Sequence, residues 1–169
     1  MPQAVTKDLG PCICEFDSVR VGPSHGAVLF RYSEIGKETF EDEYGETPVD
    51  EIIVGAAPTE VEFPMTRQTL AQLNTVLANS AVAPADEMNV SNPVGISLYE
   101  KAKQLVIKPI VDNVVSTNSK NWLTLLKAAP KVEAELSYDK DGQRVVKVLF
   151  KGFPVQESGS TKGRIWKIG

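Results

Sequence analysis

Alternation of β-branched or aromatic residues with polar ones marks four segments as strands: 12–16, 27–32, 60–64 and 104–110. Two further runs with the same period, 132–138 and 143–150, flank Asp139, Asp141 and Gly142, residue types that tolerate the positive φ of a tight reversal. They predict a hairpin. The period changes once, within 66–78, where Leu70, Leu73, Val76 and Leu77 recur at helical spacing with Arg67, Gln68, Gln72 and Asn74 mostly opposite. Thr66 stands where an N-cap would, Pro64 limits extension upstream, and the apolar stripe should pack on a sheet. The stretch 79–129, with Pro84, Pro93, Pro109 and a polar run at 116–120, predicts short strands joined by surface loops and a further helical or strand piece at 121–128. No internal repeat or second-domain boundary is visible. The expectation is a single domain over 1–169, mainly β with one flanking helix (α+β), ending in a flexible C-terminal end at 156–169.

Composition narrows the function classes. A chain of 169 residues can bury roughly two-thirds of its unfolded surface, so neither disulfides nor metals are needed to explain folding. Its net charge of -4 and pI near 5.1 argue against a protein that grips nucleic acid by neutralising phosphates. No run approaches the roughly 18 to 20 apolar residues of a membrane span, and the opening residues lack an apolar signal segment. The expectation is a protein made in the cytoplasm that stays there or leaves by lysis, in which case the sequon Asn89-Val90-Ser91 is unused.

Candidate chemistry is sparse. The single histidine, His25, lies in a Gly/Pro-rich turn without a nucleophile motif and reads as a solvated turn residue. Residues 159–163, GSTKG, have the wrong order for a phosphate loop. Cys12 and Cys14, two apart on a predicted strand, share a face in a poor geometry for bonding to each other and form half a zinc set; they read as small buried residues, with an inter-subunit disulfide as the alternative. Neither a cofactor nor an enzymatic activity is expected.

One stretch asks for more. In 40–55, Glu41, Asp42, Glu43, Glu46, Asp50 and Glu51 fall within eleven positions free of Lys and Arg. The spacing lacks the alternating oxygen ligands, sixth-position glycine and twelfth-position glutamate of a calcium loop, and the aromatic content, 7%, is scattered where a sugar site would cluster it. The stretch therefore reads as a solvated, self-repelling and extended segment. It ends in Val49, Ile52, Ile53 and Val54, which have nothing local to bury them. An acidic arm with an apolar foot suggests docking on another surface.

The order of these pieces resembles the major tail tube proteins of tailed bacteriophages and phage-like tail particles. The resemblance is carried by the opening strand GPCICEFDSVRVG, the second strand GAVLFRY, the arm ending DEYGETPVDEIIVG and the strand and helix TEVEFPMTRQTLAQL. Its most specific part is Tyr44 to Ile52 followed by Gly55; the final hairpin matches loosely and 79–129 does not. The resemblance implies a β-sandwich or small barrel with a flanking helix, six copies closing into a ring with one continuous inner barrel, and rings stacking into a hollow tube in the virion tail, assembled in the host cytoplasm. It makes 33–55 the inter-ring or inter-subunit arm, with Glu41, Asp42, Glu43, Tyr44, Glu46, Val49, Asp50, Glu51, Ile52 and Ile53 as its contact residues. The implied partners are the chain itself, a tape-measure protein, a tail terminator, baseplate or tip proteins and, in a contractile tail, a sheath. DNA would pass through without specific binding, since six chains at -4 sum to -24 per ring and repel phosphate. A type VI secretion tube and a monomeric carbohydrate-binding β-sandwich are the competing expectations.

Overall fold

The computed structural model describes residues 11–24, 26–66, 69–77, 80–82, 87–135 and 145–169. Along the chain run β1 (Cys12–Phe16), β2 (Val19–Arg20), β3 (Leu29–Arg31), β4 (Glu34–Thr39), β5 (Asp50–Ala56), β6 (Thr59–Thr66), α1 (Leu70–Val76), β7 (Ser80–Val82) and β8 (Met88–Val90). There follow α2 (Leu98–Lys101), β9 (Lys103–Val111), β10 (Val114–Val115), β11 (Leu123–Glu135), β12 (Val145–Gly152) and β13 (Trp166–Ile168). The protein is mainly β with two short helices.

The body is one antiparallel sheet in the order β2-β1-β9-β11-β12-β6-β3, with β10 added to β9 and β13 added to β11. Alternation puts Val61, Phe63 and Met65 of β6 inward with Val146, Val148 and Phe150 of β12, while Glu60 and Glu62 face out. Phe16 of β1 meets Phe150 of β12 with ring centroids 5.4 Å apart, although β9 and β11 lie between those strands in the sheet. The sheet therefore curls over its own core. The bend is made by β11, which pairs with β9 and β13 at Leu123, Thr124 and Leu125, breaks register before Ala128, and pairs with β12 from there to Glu135. A bulge of this kind lets one strand serve two layers. Among the described residues the strands leave the sheet open and do not close a barrel.

The expected strands 12–16, 60–64 and 104–110 correspond to β1, β6 and β9, and β3 is the shorter core of 27–32. The expected pieces at 121–128 and 132–138 are instead one continuous strand, β11. Pro130 does not break it, because at that position β11 pairs only with β12 and the missing N–H falls on an unpaired side. The predicted turn at 139–142 and His25 lie outside the described residues.

Three further expectations need correction. Thr66 is not the helix N-cap; it ends β6, and Thr69 caps α1 with a reciprocal capping box in which its hydroxyl accepts from Gln72 N–H and Gln72 Oε1 accepts from Thr69 N–H. The helical stripe is only partly used: Val76 is buried, Leu73 packs beside the core, and Leu70 is exposed. The end at 156–169 is not a bare connector, since β13 pairs with β11 and Trp166 packs edge-on against Phe30 and Tyr32.

Candidate functional site

The feature that stands apart from the body is the hairpin of β4 and β5. Among the described residues these strands pair only with each other, and Ala57 N–H donates to Ser33 C=O at 2.8 Å where the hairpin leaves the sheet. The acidic stretch is thus no extended loop. It is the second strand and tip of a two-stranded ribbon spanning 33–57, and the strand that completes it, β4, has no counterpart among the expected strands because EIGKET carries a single large apolar residue, Ile35, and no alternation.

At the tip, Asp42–Tyr44 forms one 3-10 turn, and Val49 N–H donates to Thr39 C=O at 2.9 Å to start the ladder. Glu41, Asp42, Glu43, Tyr44, Glu46, Val49, Asp50, Glu51, Ile52 and Ile53 are all exposed, as is every residue of β5. Among the described residues none of the carboxylates of the ribbon has an ion-pair partner. Exposed with them are Ile35, Phe40 and Val54, so the ribbon presents a long apolar surface to water.

Register sets the faces. Lys37 lies opposite Ile52 on one face, while Glu38 lies opposite Glu51 and Gly36 opposite Ile53 on the other. Ile52 and Ile53, expected together as one buried foothold, therefore point to opposite faces, and a bulge at Val54 separates them from Ile35. Glu38 against Glu51 is a like-charge pair directly across the ladder, which weakens the free ribbon. At Gly36 the absence of a side chain lets the exposed Glu51 side chain lie across the ribbon, and a Cβ there would turn the carboxylate aside.

The root of the ribbon is firm. Tyr32 sits edge-on to Trp166 at 5.5 Å, Arg31 pairs with Glu62 at 3.2 Å, and an open groove of about 470 Å³ runs between Phe30, Tyr32, Pro58 and Glu60. Rigid root and bare arm meet within a few residues.

The cysteines are both free. Cys14 is fully buried in the core and Cys12 half-buried at the start of the same strand. The hydrogen bond between them lowers the Cys12 thiol and, with burial, holds Cys14 well above the ordinary thiol range. Burial puts Cys14 out of reach of a second chain, so an inter-subunit disulfide would fall to Cys12. Among the described residues no group of three or more His, Cys, Asp or Glu side chains is placed to hold a metal ion, and no helix is long and apolar enough to cross a membrane.

No family model and no curated protein matches the chain. Among solved structures it is similar to a chain from the sheath/tube terminator of an extracellular contractile injection system, PVC, in the extended state. That similarity stands at 12% identity and a TM-score of 0.46, over 89% of this chain and 92% of that one. The likeness is a distant one.

Proposed function

We propose that this chain is a structural protein of a phage tail or phage-like tail particle, whose copies form six-membered rings that stack into a hollow tube, with the β4–β5 ribbon as the contact between copies. The observation that carries the reading is the ribbon itself: a hairpin whose apolar residues Ile35, Val49, Ile52, Ile53 and Val54 are exposed and have no cover among the described residues. It stands at the place the tail-tube resemblance assigns to the assembly arm. A monomer that keeps such a surface in water gains nothing by it, whereas a neighbouring copy would bury it on both faces. The outer sides of β2, β3 and β13, unpaired among the described residues, are further edges that ring closure would cover. The role is one of assembly and conduction, without catalysis, and a chain of net charge -4 repels phosphate.

The test is light scattering after size exclusion, paired with negative-stain electron microscopy, across a concentration series. Rings or hollow tubes are the expected result. A strictly monomeric species at every concentration would remove the proposal.

A further inference from the structure

An arm needs a receiving surface, and the charge layout of the chain points to one. Residues 33–57 hold eight carboxylates and one lysine, net -7, which leaves +3 on the remainder, where 14 acids face 17 bases. The excess cations are not spread evenly. Lys162, Arg164 and Lys167 lie within six residues, are exposed, make no ion pair among the described residues, and have no acidic residue beside them in the sequence 158–169. They surround β13, which hydrogen-bonds to β11 on one side and, among the described residues, to no strand on the other, and which leaves Ile168 63% exposed.

We propose that the β13 edge, with Lys162, Arg164 and Lys167 around it, receives the β4–β5 ribbon of a second copy, which adds to that edge by strand pairing. The inference rests on the assembly reading above and names the partner surface. A free strand edge takes up an extended partner through main-chain hydrogen bonds, and side-chain charge selects which partner. The cations would relieve the Glu38 and Glu51 repulsion that the isolated ribbon carries, and Ile52 and Ile168 would cover each other. A ribbon cannot serve its own β13: its root already lies against Trp166 through Tyr32, and every β5 residue is exposed instead of lying on the body. Six to seven paired residues at about 3.3 Å each carry the ribbon roughly 20 Å outward, far enough to meet a neighbour. Because ribbon and edge are different surfaces, the contact is head-to-tail, the type that closes rings or propagates.

The test uses two full-length variants. One reverses the ribbon (Glu38→Lys, Asp50→Lys, Glu51→Lys) and the other the edge (Lys162→Glu, Arg164→Glu, Lys167→Glu). Sedimentation velocity of each alone should show association at least tenfold weaker than wild type, and an equimolar mixture should regain it, because each reversed ribbon then meets a reversed edge. Circular dichroism checks that both are folded; should the edge variant misfold, the neutral trio Lys162→Gln, Arg164→Gln and Lys167→Gln replaces it, with a smaller loss expected. If the edge variant assembles like wild type, or the mixture fails to recover, the β13 assignment is overturned while the assembly reading stands. If the wild type itself never associates, both fall.

Discussion

Strands β5 and β6 are neighbours in sequence and equally rich in apolar residues, yet one is wholly exposed and the other supplies the centre of the core. In β6 the apolar residues Val61, Phe63 and Met65 come at every second position, the pattern of a strand with one wet face and one dry one. In β5, Ile52, Ile53 and Val54 are consecutive, the pattern of a strand buried on both faces. The body satisfies its pattern within one chain. The ribbon does not: among the described residues nothing covers its apolar run.

If that contrast is right, substitutions in the two regions must separate folding from assembly. The largest effect belongs to the body: Phe150→Ala, at a fully buried ring in contact with Phe16, should cost about 3–5 kcal/mol in chemical denaturation. Assembly would be lost only because the fold is lost. Next comes Gly152→Ala, whose added methyl would meet Leu125, Thr59 and Ile165 at 3.1–3.3 Å; overpacking there should cost about 1–3 kcal/mol by the same measurement.

Ile52→Asp should do the reverse. At an exposed position it should change folding stability by no more than about 0.5 kcal/mol, yet abolish rings and tubes by placing a charge in a contact that must be dry. Normal tubes from this variant would remove Ile52 from the interface.

The smallest effect is a pH dependence at the edge of the body. Lys127 pairs with Glu157 at 2.7 Å beside Tyr99, whose hydroxyl donates to Glu157 and accepts from Gln156 N–H. The Lys127 hydrogen bond holds the Glu157 carboxyl below the ordinary carboxylate range, and Glu157 raises Lys127 above the ordinary lysine range. A lowered acid stabilises the fold above its unfolded value and loses that contribution as pH falls through the folded one. The raised lysine loses its share only as pH climbs past the ordinary lysine range. Glu157→Gln should therefore lower the neutral plateau of a melting-temperature profile slightly, leave its acid end where it is and so flatten the acid side, with assembly unchanged.

How far the sequence reached follows the same division. Period-two patterning located β6 because its inward residues are apolar and its outward ones are not; β1 and β9 were legible from the same enrichment in apolar and β-branched residues, although Ile13 and Val106 interrupt the alternation. It could not show that β11 is one strand, since Ala128, Ala129 and Pro130 carry no alternation and the bend depends on which strands lie beside them. The two-residue turns Asp17-Ser18 and Asp112-Asn113, with φ of 51° and 66°, and 51° and 63°, were also missed, because neither carries the glycine that usually marks such a reversal. The arm was visible as uncovered apolar residues beside uncompensated acid. Its ribbon form depends on β4 pairing in a register that places Gly36 under Glu51, a tertiary fact without a local signature.

The most direct measurement is amide hydrogen exchange of residues 50–56 in dilute and in assembled protein, with β6 as the internal reference. The account predicts fast exchange of the ribbon amides in the dilute chain, where few contacts hold them, and strong protection once rings form, while β6 is protected throughout. Ribbon amides that exchange equally fast in the assembled state would contradict it.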